Sequence, residues 1–456
     1  MRITSHYSGT RPSSLANTVC SGSCPSSPQH PITRTHLRIR ELWPIIGISV
    51  ILALTFVATV SAQTQQILHQ ADRIVPLASL DSWSQRGWKF HGNDGAVYEA
   101  QWPVRWGVFR GIVGHQAVWL SDGSWIAGKI FLVNDHHLEI RHDWLDVTTI
   151  PLAAVRAVLL QPSASLRDWM EWQVRFQQLQ GDQDVVWLGN ERQVAGVIQW
   201  SQLSSNAQSL TMTISNRTHE VPSDQIAAIG MSPALLEPIL DNQKSLRMGL
   251  DAGTLLNVTD VASAGQRLTF NSFALGKVTT LESSQKFIKA VNFLSADQIP
   301  GVEFLSHQTP STYRFLSETE LKFELGTNRG VDGDPLLVGG ASRGGMVFSG
   351  LEMHSSAQVA YRLESYTGKL LTEARLAHPL HSSSRLGHVR CKILTSTGDT
   401  LQVAQEFTLG RGIADVQLKT IEVELNKAKM IALVVEKAEQ GQWADRVQWL
   451  DARLVR

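Results

Sequence analysis

The chain has 456 residues, too many for one ordinary hydrophobic core, and 43% of them are hydrophobic, so it folds into several globular domains and is not disordered. Residues 1–62 hold five Lys/Arg and one Asp/Glu of the chain's 41 and 41, which leaves 36 basic and 40 acidic groups and a formal charge of −4 beyond them. No basic patch for a phosphate backbone exists, so no nucleic-acid partner is expected, and no Gly-x-Ser-x-Gly elbow or phosphate loop marks a catalytic site.

Residues 1–62 read as an N-terminal tail followed by a signal peptide or membrane anchor. Leu42 to Ala62 runs 21 residues without a charge, follows Arg34, Arg38 and Arg40, and closes on Val60-Ser61-Ala62, a small-residue cleavage pattern. Cleavage before Gln63 would release the body. Since about 20 apolar residues also span a bilayer, an uncleaved anchor stays open, and it is the only membrane attachment expected. Either way the expected location is extracytoplasmic: secreted, periplasmic or cell-surface.

Residues 63–116 read as a β-rich lead-in, and from Trp119 the chain repeats itself. Trp119-Leu120 is followed nine residues later by Gly128, and Trp187-Leu188 at the same distance by Gly196. Pro151 precedes Val155 and Val158, and Pro222 precedes Ile226 and Ile229, at identical offsets of four and seven. A fainter copy reads Met248 to Asn257, Leu268 to Phe270, then Ser284, Ile288 and Val291. These predict a β repeat over 117–183, a second over 184–246 and a degenerate third over 247–300. Each is a small β-barrel or β-roll, and Leu166 to Leu179 and Pro233 to Leu246 predict joining helices. Eleven of the fourteen tryptophans lie between Trp83 and Trp200 and are read chiefly as barrel filling. The pairs His136-His137 and His378 with His381 lack metal-ligand spacing and read as loop histidines.

Residues 304–456 show short alternating strands separated by turn signals such as Tyr366-Thr367-Gly368, the pattern of an all-β sandwich. Cys391, alone past residue 62, alternates with charges in Val389 to Ile393, which predicts a buried core thiol and no disulfide. Gly330 to Gly340, the Gly350-Leu-Glu-Met-His-Ser355 stretch, Tyr361, Leu363 and the closing Trp449 to Leu454 resemble the NPCBM family of carbohydrate-binding modules, with Glu352 standing where that family commonly has a second glycine. The resemblance implies a jelly-roll sandwich of the galactose-binding-like type that holds a sugar without catalysis. The expected fold class is therefore all-β and multidomain, with that sandwich preceded by two to three small β repeats joined by short helices.

Sugar recognition needs a flat aromatic face and planar polar groups. Arg343, His354, Tyr366, Trp443 and Asp445 are the candidates of suitable type, although His354 and Trp449 are equally suited to closing the core. Asp332 and Asp334 have the chemistry to hold a structural Ca²⁺ and equally the composition of an ordinary turn. No other cofactor is expected. The expected function is an exported, non-catalytic protein that binds a polysaccharide or glycoconjugate; the alternative is a cell-envelope structural or assembly protein whose β modules bind envelope proteins.

Overall fold

A computed structural model describes residues 66–456 apart from 135, 147–148, 191, 201–208, 237–244, 297, 316–322, 339–344, 378–386, 399, 411–417 and 439–444. The tail and the apolar run Leu42 to Ala62 lie outside the described residues, as do His378 and His381.

Four curled β-rolls come first. The first has β1 (Gln66–His69), β2 (Ile74–Ser84), β3 (Gly87–His91), β4 (Val97–Ala100) and β5 (Arg105–Gly107). The second has β6 (Ala117–Leu120), β7 (Trp125–Ala127), β8 (Lys129–Val133), β9 (His137–Arg141), β10 (Thr149–Pro151) and β11 (Val155–Leu159). The third has β12 (Asp184–Leu188), β13 (Gln193–Gln199), β14 (Ser209–Ile214), β15 (Arg217–Pro222) and β16 (Ile226–Gly230). The fourth has β17 (Leu246–Leu250), β18 (Leu255–Ala264), β19 (Arg267–Ser272), β20 (Gly276–Thr279) and β21 (Val291–Ala296). In every roll the first strand pairs antiparallel with both the second and the last, and the meander between them curls over the core.

The repeated spacings have physical causes. Gly128 sits where β7 bends into β8, and a Cβ there would lie 2.3 Å from the Arg141 carbonyl oxygen; at Gly196 it would lie 2.5 Å from that of Thr213. Only glycine admits that approach. Pro151 and Pro222 each cap a one-turn 3-10 helix, at φ −59° and −56°, which the pyrrolidine ring favours. The turn then releases Val155 or Ile226 into the closing strand, with both repeat positions buried. In the fourth roll the short helix α2 (Ser284–Ala290) takes the place of that turn.

The rolls join through their closing strands. Strand β11 pairs antiparallel with β16 about a local two-fold axis, on which Val158 meets its own repeat equivalent, Ile229. Strand β5 pairs with β21 in the same way, placing Trp106 opposite Leu294. The tryptophans are largely core: Trp88, Trp106, Trp119, Trp125, Trp169 and Trp187 are buried. Helix α1 (Leu166–Gln177), capped by the Ser165 hydroxyl, lays Trp169 and Phe176 onto Trp119 and Trp125. The helix expected over Pro233 to Leu246 is corrected: Pro233–Leu235 makes a single 3-10 turn, Leu246 already opens β17, and the intervening 237–244 are outside the described residues. Pro233 suits a helix start, but Leu246 and Met248 are held by the sheet.

The last portion is a β-sandwich of β22 (Val302–Phe304), β23 (Thr312–Phe315), β24 (Gly326–Thr327), β25 (Leu336–Val338), β26 (Gly345–Val347), β27 (Gly350–His354), β28 (Ala357–Leu376), β29 (His388–Ser396), β30 (Gln402–Gly410), β31 (Leu418–Lys437) and β32 (Arg446–Val455). Strands β28 and β31 are 20 residues each and serve both layers. The expected turn at Tyr366 to Gly368 is a bulged bend inside β28, where Gly368, at φ 150°, packs a bare Cα against the Val455 carbonyl. Leu351, Met353, Val447, Trp449 and Cys391 line the core between the layers. The β25–β26 hairpin reaches back to the rolls, where Met346 and Phe109 exchange backbone hydrogen bonds.

Candidate functional site

Strand β28 leaves and returns to one end of the sandwich. His354, just before it, pairs with Arg446, while Leu376 at its far end pairs with Val447 and the Ala377 N–H donates to the Arg446 carbonyl. Its middle, at Tyr366, closes the opposite end. The open end therefore gathers the turns around Ser355, His388 and Asp445.

Along β27 and β32 the residues alternate between the core and the outer face of the sheet. Leu351, Met353, Val447 and Trp449 point inward; Glu352, His354, Arg446 and Gln448 form a polar row on the other face of the sheet, with Glu352, His354 and Gln448 buried there and Arg446 half-buried. Gln448 Nε2 donates to Glu352 Oε2 at 2.8 Å, and Arg446 approaches Glu352 Oε1 at 3.4 Å while donating to Asp332 Oδ2 at 2.6 Å. Burial pushes the Glu352 carboxyl up, against the pull of Arg446. Arg375 of β28 lies opposite Gln448, and its Nε and the Gln448 Oε1 are buried without a hydrogen-bond partner among the described residues. The two unpartnered atoms are one donor and one acceptor, the pair of groups that vicinal hydroxyls satisfy.

The sequence candidates divide. His354 and Asp445 are both at the open end. The His354 ring lies flat on Phe323, with centroids 4.1 Å apart and planes 3° from parallel, and burial holds it below its ordinary pKa. Asp445 accepts from the His388 N–H at 3.0 Å, its own carbonyl takes the Ser355 N–H at 2.7 Å, and burial pushes its carboxyl up to about 6. Tyr366 is not with them: it is a core residue at the closed end, its ring under the Arg456 guanidinium. Trp449 is likewise core. Arg343 and Trp443 lie outside the described residues. Asp332 is committed to Arg446, and among the described residues no group of three His, Cys, Asp or Glu side chains is placed to hold a metal ion. Sequence reading missed Glu352, Arg446 and Gln448 as a set; their strands are about 90 residues apart, and only the β27–β32 register joins them.

A second cluster was also invisible in the sequence. On the outer face of β32 a bulge at Asp451, at φ 48°, sends Leu450 and Asp451 consecutively toward the rolls. Arg105 of the first roll donates to Asp451 at 2.5 Å and to Glu373 at 2.9 Å, and His69 Nε2 lies 2.8 Å from Arg105 and 3.1 Å from Glu373. Arg453 donates to the Gln70 and Ala71 carbonyls. Burial raises the Glu373 carboxyl, but Arg105 and His69 outweigh it and leave it at about 2. Burial and Arg105 keep His69 below its usual value and neutral. Arg105 and Arg453 thus lie with two carboxylates, Glu373 and Asp451, and with Arg375 also acting on Glu373, in a charged cluster that ties the sandwich to the rolls.

Among solved structures, a CBM51 module from Clostridium perfringens GH95 in complex with methyl-galactose is 14% identical, aligns with 34% of this chain and 99% of its own, and gives a TM-score of 0.28. The CBM51-2 and INT domains of Clostridium perfringens ZmpB, solved with GlcNAc, are 15% identical over 45% of this chain and 42% of theirs, with a TM-score of 0.28. Tandem CBM51 modules of a family 98 glycoside hydrolase from Streptococcus pneumoniae are 8% identical over 59% and 87%, again at 0.28. Comparison with curated proteins gave no match. The model of the NPCBM/NEW2 domain matches residues 306–455, the span that holds the polar row and the bulged strand, and this C-terminal region belongs to that family.

Proposed function

We propose that the protein is an exported, non-catalytic carbohydrate-binding protein whose sandwich takes a saccharide at its open end, against Glu352, His354, Arg446 and Asp445. The observation that carries this reading is the family match over residues 306–455, because the polar row with its unpartnered Gln448 and Arg375 atoms falls inside it. Export rests on the charge-free run and the small-residue pattern before Gln63. Among the described residues no helix is long and apolar enough to cross a membrane.

Affinity electrophoresis of the whole chain through gels carrying neutral polysaccharides tests the reading. Retardation by at least one polymer is expected, and Arg446→Ala and Glu352→Gln should each weaken it tenfold or more. Equal retention of wild type and both variants would remove the open end from the binding site. Absence of any retardation, with co-purification of envelope proteins, would favour a structural role.

A further inference from the structure

A cleft of about 520 Å³ opens in the rolls, within the size range of small-molecule sites, and every residue lining it lies outside the sandwich. Its walls include His115, Gln116, Lys129, Arg141, Asp143 and Trp144. The wall carrying Trp144 is fixed from behind. His142 Nδ1 accepts the Trp144 and Leu145 N–H groups at 2.9 and 3.2 Å, and its Nε2 reaches Thr254 Oγ1 at 2.7 Å. Burial takes His142 down to about 4, so near neutral pH it is an uncharged brace and contributes no positive charge of its own. Gln116 is a second brace, accepting the Ile130 N–H and donating to the Leu160 carbonyl.

The remaining groups face solvent. Lys129 and Arg141 sit opposite each other across β8 and β9, and both lie over the Phe131 ring, at 5.4 and 4.7 Å. Neither has an ion-pair partner among the described residues. Asp143 and His115 are exposed, and Trp144 is half-buried. The cleft therefore presents one flat aromatic surface, two paired cations held by a shared ring, and one carboxylate with a histidine.

We infer that this cleft is a second saccharide site, for a carboxylate-bearing sugar of the uronate class. Trp144 offers the apolar ring face, Lys129 and Arg141 take the sugar carboxylate, and Asp143 and His115 take hydroxyls. The inference stands on the roll geometry and does not rest on the sandwich reading.

The whole chain is run through gels carrying polygalacturonate, a neutral galactan or dextran sulfate. Polygalacturonate should retard it, and Lys129→Ser combined with Arg141→Ser should weaken that retardation tenfold or more while leaving any galactan retardation unchanged. Trp144→Ala should weaken it comparably. Because Trp144 also packs on the core, its melting temperature is checked, and the exposed double variant decides if that variant fails to fold. No retardation by polygalacturonate, or retardation that the double variant leaves unchanged, overturns the inference. Equal retardation by dextran sulfate that Trp144→Ala does not affect would mean charge alone and overturns it too. Failure of the sandwich reading shows separately, in the Arg446 and Glu352 variants.

Discussion

At the scale of single residues, burial decides which groups matter most. Removing one partner from a buried ion pair leaves the other charged and desolvated, at a cost of about 3–5 kcal/mol. Glu373→Ala, which leaves the buried guanidiniums of Arg105 and Arg453 with Asp451 as the one remaining carboxylate of the cluster, should lose about that much in urea denaturation, whereas Lys286→Ala, from an exposed pair, should change stability by less than about 0.5 kcal/mol. The histidines give a pH signature. His69 and His142 both have folded values below 6.5, so the unfolded chain takes protons first; their contribution is full above about 6.5 and fades as pH falls, for His142 through its folded value of about 4. Glu373, lowered from 4.5 to about 2, adds its loss between those values. The stability gap in urea between the protein and its His142→Asn variant should thus hold above pH 7 and narrow below 6.5; a gap unchanged down to pH 4 would contradict neutral burial of that ring. Cys391, fully buried with its thiol pushed up by burial, should resist alkylation until the protein unfolds. That core thiol was legible from alternation in Val389 to Ile393. The pairing of His69 with Glu373 was not, because 304 residues separate them and neither neighbourhood carries a motif.

At the scale of elements, the repeats were legible wherever a backbone constraint fixes a residue type. Gly128 and Gly196 mark close approaches, and Pro151 and Pro222 mark turn starts, so their spacing survives in the sequence. Gly128→Ala and Gly196→Ala should each cost about 1–3 kcal/mol through overpacking, read by thermal denaturation, while Gly398→Ala, with nothing within 4 Å, should be close to neutral. Legibility failed where a bulge imitates a turn. Tyr366 to Gly368 has turn composition, yet it bends one continuous strand, and this moved Tyr366 from an expected rim position into the core. Strand β31 bends at the corresponding place and stays one strand, with Lys427 at φ 51°.

At the scale of the whole molecule, the lead-in was read as β-rich, but its membership among the rolls was hidden. It lacks the Trp-Leu to Gly spacing, and only the pairing of β1 with β2 and β5 reveals it. The buried charge cluster and the β25–β26 hairpin join rolls and sandwich, so heating should unfold both in one calorimetric transition. Glu373→Ala together with Arg453→Ala should split it in two; a single unsplit transition in that variant would mean that apolar contacts alone couple the parts.

The meeting of Val158 with Ile229 carries a consequence about origin. A ribbon that hydrogen-bonds to its own counterpart is how separate identical subunits make a self-complementary dimer, and tandem duplication of the underlying gene would preserve that contact inside one polypeptide. A single unit spanning residues 184–230, made as an independent peptide, is accordingly the piece in which an ancestral pairing habit should still be found.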